Sequence, residues 1–401
     1  MQRYAATLCA LLLMVFMSGC GGSSTTAANT PVYDVPSNLA QPNGNMGGAV
    51  QGNTFVAKFS NYSVSTFAGT AGVAGSTDTD KVATTGKPVS FNQPVGMATD
   101  GTYIYVSDYN NNMIRRIDLS NNTVKRLAGS SIGAAGYADS TDQTGDTATF
   151  NAPTAITVFG NYLYVADTGN NMIRRVDKST GVVTIVAGST TGVAGAVDSK
   201  TVPTDARFNQ PTGITTDGEN LYVTDYGNHT IRRIVIASKA VTTLAGSPGA
   251  AGSDDGAQSI ARFNQPARIT TDRTYLYVTD TINRTIRRIE ISSGNVKTIA
   301  GIPGPLDSAG NIADSTDGTG ATARFNQPNG ITTDGSNLFV TDSFNNSIRM
   351  IATPQGTNSS GPVTTIISGT SAQFVTPIGI TTDGTALFVA DSNSHTIRKI
   401  E

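Results

Sequence analysis

The apolar positions after residue 90 recur in short alternating runs and show no helical period. One unit carries four such runs, at Gly213–Thr215, Leu221–Val223, Thr230–Ile234 and Val241–Leu244. β-Branched and aromatic residues dominate these runs, and pairs such as Asp-Gly and Gly-Asn separate them, which indicates strands joined by tight turns. The pattern therefore predicts four antiparallel strands in each unit.

The same unit occurs six times along the chain. Each copy begins with a Phe-Asn-x-Pro motif, at residues 91–94, 150–153, 208–211, 263–266 and 325–328, and in a weaker form at 374–377. The spacings from one motif proline to the next are 59, 58, 55, 62 and 49 residues. Four antiparallel strands repeated radially form the blades of a β-propeller. We therefore predict an all-β fold, a six-bladed β-propeller over residues 53–401.

The sixth copy lacks its fourth strand because the chain stops at Glu401. A matching segment exists at the other end, where Phe59–Gly69 resembles Leu119–Gly129 of the first copy. We predict that this N-terminal strand closes the last blade, which also removes an exposed sheet edge. Residues 53–58 receive no assignment from the pattern.

The first 19 residues are predicted to be a secretory signal peptide. An apolar run from Tyr4 to Phe16 follows Arg3 and is too short for a hydrocarbon core of about 30 Å. The segment that ends at Cys20, Met-Ser-Gly-Cys, resembles the lipobox of bacterial lipoproteins. That resemblance implies cleavage before Cys20 and acylation of its thiol, as in a palmitate-bearing lipoprotein. The alternative is an ordinary signal peptide with an incidental cysteine.

Residues 20–52 are predicted to be the lipidated cysteine and a flexible tether. Small and polar residues dominate, so the segment cannot bury enough apolar surface to fold. A coil of this length spans about 30 Å on average. Gly21 follows the cysteine where an Asp would resemble an inner-membrane retention signal, so we expect the outer membrane of a bacterial cell envelope.

Composition excludes several classes of function. The 27 Lys and Arg residues against 29 Asp and Glu residues leave no basic excess for nucleic-acid binding. Two histidines cannot build a three-histidine zinc site, and two cysteines, one of them in the signal peptide, cannot build a disulfide framework. We expect no cofactor, no metal site and no nucleic acid, and we expect a monomer.

The phased motifs Pro-x-Gly-Ile and Asp-x-x-Asn-x-x-Ile-Arg resemble those of NHL-repeat β-propellers. The resemblance covers residues 59–401 and implies the fold that the strand pattern predicts. The departures are local. Ala155 and Arg268 replace the glycine of Pro-x-Gly, Arg273 replaces a turn glycine, and Ser394 stands where asparagine is expected.

One aspartate and one arginine recur in every copy. The aspartates are Asp108, Asp167, Asp225, Asp280, Asp342 and Asp391, and the arginines are Arg115, Arg174, Arg232, Arg287, Arg349 and Arg398. A charged ring at a channel mouth is one interpretation. Because catalytic sites are usually unique, we favour an architectural role. Each Asp would accept backbone N–H groups of its own turn, and each Arg would pair with an Asp and lay its stem between blades.

Two further polar features carry weaker hypotheses. His229 and His395 occupy the same position in two copies, which we interpret as a tolerated surface position. Asp139–Asp142 and Asp314–Gly318 hint at calcium loops but lack the full ligand pattern, so we favour solvated turns over calcium.

Strand parity predicts which face binds. The turns between second and third strands should share a face with the links between blades, at residues 70–90, 130–149, 189–207, 247–262 and 302–324. These links hold twelve Asp against six Lys and Arg residues, a net formal charge of -6. The turns carry Tyr109, Tyr226 and Phe344, aromatic residues of a kind that anchors interfaces.

We therefore expect a lipid-anchored module without enzymatic activity that binds or scaffolds an envelope protein or another envelope ligand. The ligand-binding candidates are Tyr109, Tyr226, Phe344 and Arg268. Partners would be cationic where they meet the acidic links, although acidic loops that only keep the protein soluble are a nearly equal alternative. The other two candidate functions are a hydrolase or lyase site in the channel and glycan binding, which the absence of Trp disfavours.

Overall fold

Four-stranded antiparallel sheets follow one another along the chain in the computed structural model. It describes residues 62–79, 86–141, 143–304, 315–352, 361–368 and 374–401. The predicted signal peptide, Cys20, the tether and residues 53–58 lie outside the described residues, as do Phe59, Ser60 and Asn61 of the predicted closing strand.

The strands keep the spacing of the repeat. Strand β1 is Val64–Gly69. The first blade consists of β2 (Pro94–Thr99), β3 (Tyr103–Asp108), β4 (Met113–Asp118) and β5 (Val124–Ala128), and the second of β6 (Pro153–Phe159), β7 (Tyr162–Asp167), β8 (Met172–Asp177) and β9 (Val183–Gly188). The third consists of β10 (Pro211–Thr216), β11 (Asn220–Asp225), β12 (Thr230–Val235) and β13 (Val241–Gly246), and the fourth of β14 (Pro266–Thr271), β15 (Tyr275–Asp280), β16 (Thr285–Glu290) and β17 (Val296–Ala300). The fifth consists of β19 (Pro328–Thr333), β20 (Asn337–Asp342), β21 (Ser347–Ala352) and β22 (Pro362–Ile367), with the short β18 (Gly318–Thr319) added at its outer edge.

The sixth blade confirms the predicted closure. It consists of β23 (Pro377–Thr382), β24 (Leu387–Asp391) and β25 (Thr396–Ile400), with β1 as the outer strand. Val64 pairs with Ile400 and Gly69 pairs with Thr396, so β1 runs antiparallel to β25. The innermost strands contact one another in chain order, and β23 contacts β2, which closes the ring of six blades.

The hydrophobic core lies between blades, in layers to which two neighbouring blades contribute. One layer joins Tyr105 and Ile114 of the first blade to Phe150 and Leu163 of the second. The innermost strands are almost entirely buried, whereas in the outer strand β5 Lys125 is exposed and Arg126 and Leu127 are half-buried. This pattern explains why the inner strands of the sequence are short and apolar.

Local backbone geometry sets the orientation of the polar residues. Turns of 3₁₀ helix are formed by Tyr109–Asn111, Thr168–Asn170, Pro203–Asp205, Tyr226–Asn228, Gly320–Thr322, Ser343–Asn345 and Ser392–Ser394. In the first blade a β-bulge between Ile114 and Arg115 interrupts the pairing of β4 with β5, and the other blades repeat it. Bulges redirect side chains, and here the residue after the bulge is the repeated arginine.

In the described part of the chain, no helix is long and apolar enough to cross a membrane.

Candidate functional site

The repeated aspartate is the centre of a buried polar cluster. In the first blade, Oδ1 of Asp108 accepts the backbone N–H of Asn92 at 2.7 Å. Its Oδ2 accepts the side-chain amide of Asn111 and Nη1 of Arg115, each at 2.8 Å. The backbone donor is thus the Phe-Asn-x-Pro motif, 16 residues upstream. The carboxylate does accept a backbone N–H, but the donor lies in this upstream motif, and its own turn contributes the side-chain amide of Asn111.

The arginine is held equally firmly. Arg115 donates to the carbonyl oxygens of Ser90 and Thr77, both at 3.1 Å, and its guanidinium lies 5.1 Å from the ring centroid of Phe91. A second carboxylate, that of Asp78 in the link, pairs with it at 2.7 Å. One contact group therefore joins motif residues that are spread over 25 positions, in the first blade Phe91, Asn92, Asp108 and Arg115. We call this group the Asp–Arg cluster.

Five blades share this arrangement with little variation. The Asp–Arg distances in blades one to five are 2.8, 3.0, 2.7, 2.7 and 2.9 Å, and the side chains of both partners are 0–1% exposed. Burial raises the pKa of Asp108 to about 6, against the opposing effects of Arg115 and the hydrogen bonds, which leaves the carboxylate ionised at neutral pH. Both Nη groups of Arg115 are bonded to carboxylates of the protein, whereas its Nε has no hydrogen-bond partner among the described residues.

The acidic links are partly neutralised by these arginines. The link aspartates Asp78, Asp139, Asp198, Asp255 and Asp317 pair with the arginine of the following blade at 2.7–2.8 Å. Asp198 also accepts the backbone N–H of Thr243 at 3.0 Å, which ties the link to the outer strand β13. Asp146 pairs with Arg126 at 3.0 Å. Six of the eight link aspartates that the structure describes therefore have a structural partner inside the protein.

The two segments considered for calcium use their described carboxylates in the same way. Asp139 binds Arg174 and the N–H of Ile185, and Asp317 binds Arg349 and the N–H of Thr365. Asp142 and Asp314 lie outside the described residues. Among the residues that are described, no group of three His, Cys, Asp or Glu side chains converges to hold a metal ion.

The links and the turns between second and third strands lie on one side of the propeller, which we call the link face. Asn112 donates to the carbonyl of Gly133 and Asn171 to that of Gly192, each at 2.9 Å, so turn and link are in direct contact. The hairpins that join first to second and third to fourth strands form the opposite side, the hairpin face. Strand parity in the sequence predicted this division.

The three aromatic candidates differ in exposure. Tyr109 is buried against Val95 and Ile378, and burial raises its pKa to about 12. The expectation that it is free to anchor a partner was wrong, because the residue directly after the repeated Asp points toward the neighbouring blade. Tyr226 is half-buried and donates to Oε1 of Gln265 at 2.9 Å. Phe344, one position further along its turn, is half-buried.

The two histidines are half-buried and bridge neighbouring blades, which adds a structural role to the predicted tolerated position. Nδ1 of His229 accepts the N–H of Gln265, and Nδ1 of His395 accepts that of Gln93, both at 3.1 Å. Asn112 and its counterparts in other blades accept the same N–H through a side-chain oxygen. Both histidines have a positive φ of 59°, and desolvation lowers the pKa of each.

Arg268 lies at the centre of the ring. It is 9% exposed and projects into a cavity of about 30 Å³ that the innermost strands surround. The other lining residues are uncharged: Gly96, Met97, Ala155, Ile156, Ile214, Ile269, Gly330, Ile331, Gly379 and Ile380. The replacement of a repeat glycine by arginine was the sequence signal for this position.

Comparisons with known proteins agree with this architecture. A family model described as NHL repeat matches residues 208–234, and one described as LVIVD repeat matches residues 154–173. "NHL repeat-containing protein 2" of Bos taurus is 30% identical over 305 residues, which cover 68% of this chain and 41% of that protein. The chain therefore spans less than half the length of this relative.

Solved structures resemble the fold. A "structural genomics protein of unknown function" and an "auxiliary nutrient binding protein", both from Bacteroides thetaiotaomicron, align with a TM-score of 0.59. Their sequence identities are 18% and 15%, and each alignment covers 85% of this chain and 76% of the other. Together with the six four-stranded blades, the repeat matches support an NHL-repeat β-propeller.

Proposed function

We propose that the protein is a binding or scaffolding module that uses its link face. The observation that carries this proposal is the placement of exposed apolar side chains among the described residues. Those in the links are Val73, Ile132, Tyr137, Val193, Val197, Val202, Ile260 and Ile302, and those in link-face turns or motifs are Ile282 and Val375. None of the described large exposed apolar residues lies in a hairpin of the hairpin face. Apolar side chains gathered on one side of a rigid scaffold are typical of an interaction surface.

Charge makes a smaller contribution to the proposed contact. Six of the described link aspartates are paired internally, while Asp205 and Asp254 are exposed. The proposed partner is therefore an envelope component with an apolar contact surface and some cationic character. Its binding should weaken only modestly with salt, since few exposed charges take part.

Catalysis in the channel has less support. The cavity of about 30 Å³ holds one or two water-sized species. Its lining side chains belong to Gly, Ala, Ile and Met residues, apart from Arg268. An extended substrate would need a larger opening than this geometry provides.

A face-specific capture experiment tests the binding proposal. Ile132 is 87% exposed and Val193 is 56% exposed, so replacing both with Ser should leave the fold intact. Pull-downs from a native envelope fraction, quantified by mass spectrometry, should enrich partners with the wild type and lose them with this double variant. The matched control replaces Glu219 and Ala237, exposed hairpin-face residues, with Ser.

The two variants separate the faces. Retention of all partners by the link-face variant, together with their loss in the hairpin-face control, would contradict the proposed surface. Equal melting temperatures of the three proteins are required for either conclusion. Tyr109 is unsuitable for this test because its side chain is buried.

We also propose that the protein is anchored in the bacterial outer membrane through Cys20. The support is the lipobox-like sequence before Cys20 and the residue Gly21 that follows it. Metabolic labelling with a palmitate analogue should mark the wild type and not a Cys20→Ser variant, and membrane fractionation should recover only the wild type in the outer membrane. Equal labelling of both chains would refute the anchor and would leave the binding proposal to its own test.

A further inference from the structure

The centre of the propeller is too crowded for ordinary side chains. The third residue of the innermost strand is Gly96, Ala155, Gly213, Arg268, Gly330 or Gly379, in blade order. A Cβ atom at Gly96 would collide with the carbonyl oxygen of Thr154, and one at Gly330 would collide with that of Ile378. Against this requirement for small residues, the fourth blade places an arginine.

The guanidinium of Arg268 lacks the partners that the other buried arginines have. Its Nη1 donates to the carbonyl oxygen of Thr212 and lies 3.5 Å from that of Ala267. Its Nε is buried without a hydrogen-bond partner among the described residues, as is Nε of the repeated arginines in blades one to five, so the difference lies in the missing carboxylates. Within the same residues no carboxylate forms an ion pair with it, whereas Arg232 pairs with two.

Arg268 therefore places a buried positive charge at the centre of the molecule, and no described carboxylate pairs with it. Burial lowers the pKa of Arg268 to about 10, which still leaves it protonated at neutral pH. An uncompensated buried charge is strongly destabilising, and an anion in contact with it relieves that cost. The backbone N–H groups nearby give no alternative donor, since those of Gly96, Gly213, Arg268 and Gly330 donate to hydroxyl groups of their own blades.

The cavity limits the size of the anion. Its volume of about 30 Å³ exceeds the minimum for one water molecule and is too small for a sulfate or a sugar phosphate. The slight exposure of Arg268 gives solvent ions a route to it. We propose that Arg268 and the surrounding cavity form a binding site for a chloride-sized monovalent anion.

Bromide is the probe for this site because it scatters anomalously. Crystals of the full chain grown with sodium bromide should show an anomalous peak within contact distance of the guanidinium. Crystals of an Arg268→Gln variant should show none. In solution, the melting temperature of the wild type should rise with bromide at constant ionic strength, with methanesulfonate as the replaced anion, because ligands that bind only the folded state stabilise it.

Variants and a second anion make the test decisive. Arg268→Lys, which keeps the charge, should retain part of the bromide response, and Arg268→Gly, which restores the residue of four other blades, should abolish it. If the glycine variant does not fold, Arg268→Gln serves in the same assay. The proposal is overturned if the uncharged variants respond to bromide like the wild type, if sulfate raises the melting temperature as much as bromide, or if no anomalous peak lies at Arg268.

Discussion

The sixth blade repeats the architecture of the other five but holds its polar cluster more loosely. In blades one to five, Asp and Arg approach within 2.7–3.0 Å. In the sixth, Arg398 lies 3.7 Å from Asp391, and its side chain is 16% exposed. Among the described residues no hydrogen bond reaches Oδ2 of Asp391.

The cause is local. Ser394 replaces the asparagine whose amide binds this carboxylate oxygen elsewhere, for example Asn228 to Asp225 at 2.8 Å. The backbone half of the cluster is kept, since the N–H of Val375 still donates to Oδ1 of Asp391 at 2.7 Å. The difference teaches that the aspartate–backbone contact is the part required to build a blade, and that the asparagine and arginine tighten it.

Removing the closing strand should have the largest effect on this comparison. Deletion of Val64–Gly69 exposes the edge of β25 and removes Phe67, whose ring centroid lies 5.0 Å from that of Phe388. Loss of a packed Phe alone costs about 3 kcal/mol or more. We expect a lower melting temperature and concentration-dependent association, measured by calorimetry and size-exclusion chromatography.

A permuted chain is the control for that deletion. Tyr62–Gly69 is moved behind Glu401 through an Asn-Gly turn, since the backbones of Ser63 and Glu401 are already hydrogen-bonded. Recovery of the melting temperature is expected. An unchanged melting temperature in the deletion variant would refute the role of β1 in closing the ring.

Substitution of the repeated aspartate should distinguish tight from loose clusters. Asp225→Ala leaves Arg232 buried without its main partner, at a cost of about 3 kcal/mol. Asp391→Ala removes a carboxylate with fewer partners and should cost about 1 kcal/mol. Urea denaturation of the two variants measures the difference, and equal losses would show that the closing blade is as tightly held as the others.

Exchanging serine and asparagine at the equivalent positions 394 and 228 should strengthen the polar cluster of the sixth blade and weaken that of the third. Ser394→Asn supplies the missing amide to Asp391 and should stabilise the protein by about 1 kcal/mol, whereas Asn228→Ser should destabilise it by a similar amount. The free energy of unfolding of both variants is the readout. Loss of stability in both would mean that the sixth blade does not accept the amide.

His229 and His395 should produce the smallest effect, which is a dependence of the folding stability on pH. Each accepts a backbone N–H through Nδ1, which only the neutral ring can do, and the folded pKa is lowered by desolvation from 6.5. Their contribution is complete above pH 6.5 and is lost as the pH falls toward the lowered folded pKa.

Asparagine replacements test this origin. The variants His229→Asn and His395→Asn should reduce the change in melting temperature between pH 7.5 and pH 5, because asparagine fills the same position in other blades. An unaltered pH profile in the double variant would assign the dependence to other groups.

The fold could be predicted from the sequence because six copies of one four-strand pattern determine the number of strands and blades. The match between Phe59–Gly69 and the fourth strand of the first copy predicted how the last blade closes. The orientation of individual turn residues could not be predicted in this way. Thr168, Ser343 and their counterparts donate hydroxyl groups to carbonyl oxygens of the next blade, so the position directly after the repeated Asp faces inward. Tyr109 shares that position and is buried, whereas Asn110 beside it is exposed.

The acidity of the links was visible in the sequence, but its meaning required distances. Formal charge does not reveal that Asp78 and Asp317 pair with arginines about 35 positions away. Similarly, Arg268 was recognisable as a departure from glycine. Only the ring of innermost strands shows that this departure places a cation at the centre of the molecule.

The direction of β1 has a mechanical consequence. Val64 lies at the hairpin-face end of the sixth blade and Gly69 at the link-face end, so the chain enters the propeller from the hairpin face, beside Glu401. A load applied between the entering chain and the link face acts along the length of β1. Its hydrogen bonds to β25 are then stretched together, in shear, instead of opening one after another. Resistance to such a pull is set by the rate of unfolding, and the strand that completes the ring is also the one that bears the force.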